Sequence, residues 1–349
     1  MDLQELAKKH GVWHIVDNVR SAQFIKRHPE NPVLSGPQLP YRSELVFNCS
    51  VIKEDGKYLM MFRNDWFEPP GVRGKHTTNF GIAESTDGVA WTAWPEPVFP
   101  PEDLGLNNPY DPRLTRLEGR YYMTCCCPTR FGPQAATFVS DDLRSYEMID
   151  MSMPCSRNTL LFPEKINGKY YRLERPFWQA IDSYSNKNSI WIGRPYSTWI
   201  SSSPDLVHWG RSKALIDAAD VPFCNVKTGP GAIPIRTEKG WLLIFHAVDF
   251  DPRRGKNGWE DKWQKRYHAG VALADLEDPT KLIGLSPEPL LTPEEPYETD
   301  GGYRNNVIFA TAGVVEDDGT VRIYYGAADT HVCLATAALS DLLDACTPV

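Results

Sequence analysis

The sequence contains no apolar stretch long enough to span a lipid bilayer. Its first residues lack the basic start and the apolar core of a signal peptide. The net charge is −8 at pH 7, so there is no basic field to attract nucleic acid or an anionic membrane surface. Together these absences predict a cytoplasmic protein that has neither a membrane nor a nucleic acid as its partner.

The eight cysteines include no Cys-x-x-Cys pair, so they give no sequence signal for a bound metal. Three of them, Cys125 to Cys127, are consecutive, and consecutive residues of a strand do not pair easily with each other. No secretory signal indicates an oxidising compartment. We therefore expect buried free thiols, no disulfide framework and no metal ion.

Helix-forming sequence is scarce, whereas turn-forming and aromatic residues are abundant. The chain has 29 Pro, 25 Gly, 11 Trp, 15 Tyr and 14 Phe, a composition that fits many short strands joined by turns. One helix is predicted, from Leu3 to His10, with Asp2 as its N-cap.

A short phrase recurs five times along the chain: a glycine followed by a run of aromatic and β-branched residues. The copies begin at Gly56, Gly119, Gly168, Gly240 and Gly319. A further strand follows each copy and ends in a polar turn. Such a unit predicts a propeller blade, because each small sheet must bury both faces against its neighbours. We predict an all-β, five-bladed β-propeller that forms a single domain over residues 1–349, with residues 1–30 as a helical N-terminal extension.

Polar residues interrupt the apolar strands at matching places in the repeat. Asn48 and Asp111 each lie 8 residues before the glycine of their blade, and Arg63 and Arg175 each lie 7 residues after it. Because the inner strands of all blades meet at the axis of a propeller, these side chains are predicted to share one axial funnel. Its charged members would be Asp111, Asp329, Arg63, Arg157, Arg175 and Lys227.

The predicted cations have two interpretations, because a buried charge is costly unless it is paired or binds a ligand. The first is that they neutralise carboxylates between blades, such as Glu44, Glu164 and Glu174. The second is that they form an anion site at the axis. Guanidinium groups bind phosphate through paired hydrogen bonds, and a lysine adds a point charge.

Two carboxylates facing each other across a funnel suggest glycosidic chemistry, in which one acid protonates the leaving oxygen. Five-bladed hydrolases of the arabinosidase and xylosidase type carry an Asp at the start of the first blade and a Glu in the third. Here those places hold Asn48 and Asn158. With the base absent and arginines around its place, inorganic phosphate is the expected nucleophile, and the predicted reaction is phosphorolysis.

Ten motifs follow one another in a specific order: Asn48-Cys-Ser50, Phe62-Arg63, Tyr110-Asp111-Pro-Arg113, Arg157-Asn158 with Leu161 to Tyr170, Arg175-Pro176, Ser203 to Gly210, Lys227-Thr-Gly-Pro-Gly231, Gly240 to His246, Pro293 to Glu298 and Tyr324-Tyr-Gly-Ala-Ala-Asp329. Over roughly residues 30 to 340, and in all five blades, this series resembles glycoside hydrolase family 130, the β-mannoside phosphorylases and mannosidases.

The resemblance implies roles for individual residues. Asp111 matches the general acid of the family, which passes its proton through the 3-hydroxyl of the mannose that is transferred. The positions that hold phosphate match Arg157, Asn158, Arg175, Lys227 and Tyr267. The positions around the mannose match Asn48, Ser50, Arg63 and Asp329.

The implied function is inverting phosphorolysis of a β-mannoside, giving α-D-mannose 1-phosphate and a shortened acceptor. The expected substrates are a β-1,4- or β-1,2-mannooligosaccharide, mannosyl-glucose or mannosyl-N-acetylglucosamine, with inorganic phosphate as co-substrate and no other cofactor. One alternative is an inverting β-mannosidase; the hydrolytic branch of the family uses glutamates as bases, whereas this chain keeps the basic residues. The other is a propeller that binds glycans without catalysis, for which neither an acid nor a cationic cluster would be needed.

The chain departs from the family pattern in three places. Lys227-Thr-Gly-Pro-Gly231 replaces the usual Lys-Ile-Gly-Ala-Gly, and Glu174 stands beside Arg175 as a candidate hydrolytic base. The charged segment 249–266, which contains two tryptophans, is predicted to shape the leaving-group subsite or an oligomer contact. A homo-oligomer is therefore compatible with the sequence.

Overall fold

The computed structural model describes residues 2–72, 76–99, 105–176, 196–255 and 264–349. Within these ranges the strands form five antiparallel sheets in the arrangement of a five-bladed β-propeller. The fold prediction is confirmed. None of the described helices is long and apolar enough to cross a membrane.

Each blade consists of consecutive strands of the chain, with its first strand at the axis. Blade 1 contains β2 (Leu45–Glu54), β3 (Lys57–Phe67), β4 (His76–Ser85) and β5 (Thr92–Ala93). Blade 2 contains β6 (Tyr110–Leu117), β7 (Arg120–Thr129), β8 (Gly132–Ser140) and β9 (Glu147–Met151). Blade 3 contains β10 (Ser156–Leu161), β11 (Tyr170–Pro176), β12 (Thr198–Ser203) and β13 (Gly210–Ile216).

The last two blades also take in the ends of the chain. Blade 4 contains β14 (Lys227–Pro230), β15 (Ile235–Arg236), β16 (Trp241–Phe250), β17 (Lys265–Ala274), β18 (Leu282–Leu285) and the C-terminal β22 (Thr347–Pro348). Blade 5 contains β19 (Ile308–Val315), β20 (Thr320–Ala327), β21 (His331–Ala338) and the N-terminal β1 (Lys26–Arg27). The helices are α1 (Leu3–His10), α2 (Pro296–Thr299) and α3 (Leu339–Asp344). Helix α1 begins as predicted, since Asp2 accepts a hydrogen bond of 2.7 Å from the backbone N–H of Glu5.

The five repeat glycines all have a positive φ, between 74° and 149°. In the first three blades the residue before the glycine also has a positive φ, near 50°: Asp55, Glu118 and Asn167. Two successive residues with positive φ form the turn whose twist matches that of a β-hairpin, and glycine reaches this conformation without steric cost. The repeated phrase therefore marks the turn between the inner strand of a blade and its second strand.

The hydrophobic core lies between neighbouring blades. Between blades 1 and 2, Phe99 stacks on Phe80 with ring centroids 5.3 Å apart and meets Phe138 edge to face at 5.1 Å. Between blades 3 and 4, Phe162 meets the buried Trp241 edge to face at 5.2 Å. Aromatic side chains from both sheets fill each interface, so every blade depends on its neighbours. All eight cysteines are free thiols, and six of them are buried.

Each terminus adds a short strand to one of the last two blades. Strand β1 pairs with β21, so Lys26 and Arg27, which fall inside the predicted N-terminal extension, belong to blade 5. The guanidinium of Arg27 donates to both carboxylate oxygens of Glu298 at 2.8 and 3.0 Å, and the Glu298 side chain is 0% exposed. At the other terminus, β22 pairs with β18 of blade 4.

Replacing Arg27 by methionine is expected to lower the free energy of unfolding by about 3 kcal/mol, because it leaves a buried carboxylate without its cation. Urea denaturation at neutral pH measures the change. The matched control is Glu294→Gln, which removes the more exposed ion pair of the same arginine and is expected to cost less than about 1 kcal/mol. Equal losses in the two variants would show that the buried Arg27–Glu298 pair contributes no more to stability than the exposed pair with Glu294.

Candidate active site

Three inner strands carry a polar residue in the left-handed conformation at the same place. These residues are Asn48, Asp111 and Asn158, with φ of 49°, 57° and 58°. At each of them the strand register shifts, so each lies in a β-bulge. Asn and Asp tolerate this conformation better than other residues with a side chain. The equivalence that the repeat predicts for Asn48 and Asp111 is therefore structural, and Asn158 in blade 3 shares it.

The bulges bring Asn48 and Asp111 together across the first two blades. The amide Nδ2 of Asn48 donates to Oδ1 of Asp111 at 2.8 Å, and Nη1 of Arg63 donates to the same oxygen at 3.3 Å. Asp111 is 9% exposed. Gly326 of blade 5 backs this pair, since a Cβ at that position would lie 2.3 Å from Oδ1 of Asn48. The predicted acid thus lies in a tightly built polar corner.

Arg63 is also held by a carboxylate that the sequence did not single out. Its Nε and Nη2 donate to the two oxygens of the buried Asp65 at 2.9 and 2.6 Å. Burial lowers the pKa of Arg63, but Asp65 and Asp111 outweigh it, so that the pKa is raised. Arg63 is therefore paired with carboxylates, but its main partner, Asp65, lies in its own strand and is not one of those proposed between blades.

Asp329 completes this side of the funnel. It follows β20 in the left-handed conformation, with φ of 48°, and its Oδ2 lies 3.4 Å from Nη1 of Arg304. Burial raises the pKa of Asp329, and the charges of Arg304 and Arg63 oppose part of that rise. Sequence analysis missed Arg304 because it lies between β18 and β19, outside the repeated phrase.

The predicted phosphate-binding residues come together in blades 3 and 4. Arg157 and Arg175 are Cα partners across β10 and β11. Like charges at paired positions repel each other. Burial lowers the pKa of Arg175 to about 10, and Arg157 adds to the effect. Two guanidinium groups at one rung of a sheet favour the binding of an anion.

Lys227 and Tyr267 share one rung of the sheet in blade 4. Each is a Cα partner of Val248, and Nζ of Lys227 lies 5.0 Å from the centroid of the Tyr267 ring. Burial lowers the pKa of Lys227 well below its ordinary value, and Arg175 adds to the effect. Burial also raises the pKa of the Tyr267 hydroxyl.

The carboxylates proposed as partners of these cations are engaged elsewhere. Glu44 accepts from the backbone N–H of Phe67 at 3.2 Å, Glu164 pairs with Arg236 at 3.1 Å, and Glu174 pairs with Arg172 at 3.1 Å. In the part of the chain that the structure describes, no carboxylate forms an ion pair with Arg175 or Lys227. None of the three carboxylates named in the blade-to-blade interpretation therefore neutralises Arg175 or Lys227.

Glu174 lies on the other face of its strand. Successive side chains of a strand alternate between faces, so Glu174 and Arg175 diverge. The carboxylate of Glu174 lies on the face that carries Arg172, which also binds Asp150 at 2.9 Å. This geometry removes Glu174 from the cationic cluster, where a hydrolytic base would be needed.

Two further predicted residues, Ser50 and Asn158, are buried. Ser50 is 0% exposed; its hydroxyl donates to the carbonyl of Leu114 at 3.3 Å and accepts from the N–H of the same residue at 2.9 Å, which joins blades 1 and 2. Its contact with a sugar stays a prediction. Asn158 is buried at the edge of the cationic cluster, and its Oδ1 has no partner among the described residues.

Segment 249–266 is described only in part, because residues 256–263 lie outside the described ranges. At its two ends, Arg254 and Arg266 both bind the buried carboxylate of Asp249. His268 also contacts Asp249, with Nε2 2.7 Å from Oδ1. The predicted role of this segment, in the leaving-group subsite or in an oligomer contact, stays a prediction.

Arg113 stands in a motif that the sequence analysis quoted, but it had been given no role. It is 1% exposed, its Nε donates to the carbonyl of Gly231 at 2.8 Å, and its Nη1 donates to the carbonyl of Pro112 at 3.0 Å. Its guanidinium also lies over the ring of Phe309, 5.2 Å from the centroid. Within the described ranges, no group of three or more His, Cys, Asp or Glu side chains is arranged to hold a metal ion.

Comparison with known proteins gives the same family as the motifs. The family model Glyco_hydro_130, described as beta-1,4-mannooligosaccharide phosphorylase, matches residues 23–348. The 1,2-beta-oligomannan phosphorylase of Thermoanaerobacter sp. is 32% identical over 332 residues, which cover 91% of this chain and 98% of that protein. The beta-1,4-mannooligosaccharide phosphorylase of Ruminococcus albus is 30% identical over 332 residues, which cover 92% of this chain and 90% of that protein.

A solved structure agrees with the sequence relatives. The complex of the beta-1,2-mannobiose phosphorylase from Listeria innocua with beta-1,2-mannobiose matches this chain with a TM-score of 0.75 and 25% identity, covering 92% of this chain and 98% of that one. The family model spans nearly the whole chain, and the relatives are similar over nearly their whole length. The chain therefore belongs to glycoside hydrolase family 130.

Proposed function

We propose that the protein catalyses the inverting phosphorolysis of a β-mannoside by inorganic phosphate, giving α-D-mannose 1-phosphate and a shortened acceptor sugar. One observation carries the proposal: Arg175 and Lys227 are buried cations without a carboxylate partner among the described residues. Lys227 also lies close enough to Arg304, the partner of Asp329, for that arginine to lower its pKa. The names of the relatives support the proposal, since those proteins are phosphorylases of β-mannosides.

The funnel has two halves of different charge. The acid half belongs to blades 1, 2 and 5 and consists of Asn48, Arg63, Asp111 and Asp329. The anion half belongs to blades 3 and 4 and consists of Arg157, Asn158, Arg175, Lys227 and Tyr267. A mannose bound between them would have its leaving oxygen toward the acid half and its opposite face toward the anion half.

The anion half has the properties of a phosphate site. Burying several like charges costs free energy, and an anion that pairs with them offsets this cost. A bound phosphate would also favour the charged form of Lys227, whose pKa burial lowers. Phosphate is ionised at neutral pH and is itself the nucleophile, so the site needs no base.

The acid half is arranged to deliver a proton. Both hydrogen bonds that Asp111 accepts within the described residues end on Oδ1, from Asn48 and Arg63. This leaves Oδ2 for the proton that the family passes through the 3-hydroxyl of mannose. Attack from the face opposite the departing oxygen inverts the anomeric centre. The reaction uses only this proton and phosphate, so we propose that it needs no metal or organic cofactor.

Hydrolysis is the weaker alternative because an inverting hydrolase needs a carboxylate that activates water. The corresponding places hold Asn48 and Asn158, and Glu174 faces Arg172 instead. The proposed substrates are β-1,2- and β-1,4-mannooligosaccharides, mannosyl-glucose and mannosyl-N-acetylglucosamine. A charged sugar phosphate does not cross a membrane unaided, which fits the cytoplasmic location expected from the sequence.

Incubation with this panel of β-mannosides in phosphate and in phosphate-free buffer tests the proposal. We expect sugar release only with phosphate, and NMR should show the α-anomer of mannose 1-phosphate as the sole phosphate ester. The reaction should also run backwards from α-mannose 1-phosphate and an acceptor, because the ester keeps much of the free energy of the glycosidic bond. Release of free mannose at one rate with and without phosphate, and no product in the reverse direction, would assign the protein as a hydrolase.

Asp111→Asn is expected to keep the fold and to lower turnover by about 10²- to 10⁴-fold, the usual contribution of a general acid. The change removes the proton but keeps an oxygen that can accept from Asn48 and Arg63. Steady-state kinetics at saturating phosphate measure the effect. Asp141→Asn, at an exposed carboxylate of the same blade, serves as the control and should be fully active. Near-normal turnover of Asp111→Asn would remove Asp111 from the role of acid.

Lys227→Met is expected to raise the apparent KM for phosphate by about 30-fold or more, since a charge-assisted hydrogen bond in a desolvated site contributes roughly 2–4 kcal/mol. The KM for the mannoside should change less than about threefold. The control is Lys239→Met, at an exposed lysine of the same blade. Equal weakening of both substrates would indicate a structural role for Lys227.

A further inference from the structure

His246 ends a motif of the sequence, Gly240 to His246, that the proposed reaction does not use. The side chain is 1% exposed and projects from β16 into the anion half. Its Nε2 lies 3.3 Å from Nη1 of Arg175, and its Nδ1 lies 3.1 Å from the carbonyl oxygen of Pro230. His246 therefore connects a proposed phosphate ligand to the inner strand of blade 4.

The chemistry of the two partners fixes the state of the ring. A guanidinium can only donate, so Nε2 must accept from Arg175. A carbonyl oxygen can only accept, so Nδ1 must carry the hydrogen that is donated to Pro230. The neutral tautomer with hydrogen on Nδ1 is the one state that satisfies both. Burial and the charge of Arg175 lower the pKa of His246 well below its ordinary value, which keeps the ring neutral.

Packing fixes the position of the ring. It stacks on Tyr267 with centroids 6.0 Å apart and an angle of 15°, and it meets Phe309 edge to face at 4.6 Å. Gly229 leaves room for it, since a Cβ there would lie 2.3 Å from Cε1 of His246 and 3.2 Å from Cδ of Arg175. The ring cannot move without disturbing neighbours on both sides.

Arg175 depends on this contact. Among the described residues, His246 is its only side-chain hydrogen-bond acceptor, and Nε of Arg175 has no partner. A carboxylate in place of His246 would orient the guanidinium equally well, but it would neutralise the charge and compete with phosphate. A neutral histidine orients the arginine and leaves its charge available.

On the basis of the proposed function, we infer that His246 is a positioning residue for phosphate, which holds Arg175 through a neutral acceptor and supports the ring of Tyr267. It contacts phosphate only through these two residues. Its loss should therefore weaken the binding of phosphate and leave the binding of the mannoside nearly unchanged.

Two substitutions at this position separate the two ring nitrogens. In His246→Gln the amide oxygen can take the place of Nε2 and accept from Arg175. In His246→Asn the shorter amide takes the place of Nδ1, keeps the bond to Pro230 and leaves Arg175 without an acceptor. Both variants lose the stacking ring, and they differ in length by one methylene group. The readouts are the KM for each substrate and the increase of Tm that inorganic phosphate produces without any sugar.

We expect His246→Asn to raise the KM for phosphate by about tenfold or more relative to His246→Gln, the size expected for a hydrogen bond to a charged group. The phosphate-induced increase of Tm should shrink in parallel, and the KM for the mannoside should agree within about threefold. In an Arg175→Met background the same exchange should have no effect, because the shared partner is gone. A similar KM for phosphate in the two variants, or equal changes for both substrates, would overturn the inference.

Gly229→Ala gives a second test if His246→Asn does not fold. Its Cβ overlaps the ring of His246 far more than the side chain of Arg175, so it displaces mainly the ring, and the KM for phosphate should again rise by about tenfold. An unchanged KM would overturn the inference. The wild-type protein separates this inference from the proposed function. If the wild type shows no phosphate-dependent sugar release, phosphorolysis itself is refuted. If the wild type depends on phosphate but the variants keep its KM for phosphate, only the role of His246 is refuted.

Discussion

The hydrogen bond from Arg113 to Gly231 crosses the axis of the propeller, and the geometry of the funnel depends on it. It joins the inner strand of blade 2 to the residue that follows the inner strand of blade 4, while the guanidinium covers Phe309 of blade 5. Burial lowers the pKa of Arg113 to about 10, against the charge of Asp111. Gly231 allows this contact, since a Cβ there would lie 2.5 Å from the carbonyl oxygen of Ala310. A costly buried cation is held here by carbonyl oxygens, and its position links Asp111 to the strand that carries Lys227.

This link matters because the proposed reaction needs Asp111 and the cations of the anion half to be held at a fixed distance from each other. The acid half neutralises its own cation: Arg63 is bound by Asp65 and Asp111. In the anion half, by contrast, Arg175 and Lys227 have no carboxylate among the described residues, and Arg175 is oriented by a neutral histidine. The two halves therefore differ in charge because carboxylates accept the hydrogen bonds of Arg63, whereas a neutral histidine accepts the hydrogen bond of Arg175. This difference separates a place for a sugar from a place for an anion within one funnel.

The contacts around the site explain why closely similar residues have different roles. Glu174 and Arg175 are neighbours in one strand, yet they face opposite sides of blade 3, so only the arginine reaches the anion half. Asn48, Asp111 and Asn158 have equivalent bulged positions, yet only the first two meet. The shared backbone conformation determines where each side chain points, and the neighbouring blade determines which residue it contacts.

The sequence by itself determined the features that depend on local pattern. The turn glycines Gly56, Gly119 and Gly168 marked the hairpins because a positive φ favours glycine. The number of blades followed from their recurrence, and the spacing of Asn48 and Asp111 to those turns placed both at the same level of the funnel. The family followed from ten motifs in order.

Only the tertiary structure decided which charges meet. Arg63 meets Asp111, Arg304 binds Asp329 and His246 binds Arg175. The last two contacts join residues from different strands or loops, and no spacing in the repeat predicts them. Arg113 shows the same limit, since its partner lies 118 residues away across the axis. Local sequence sets the conformation and face of each side chain, but the partner it meets depends on how the blades pack around the axis.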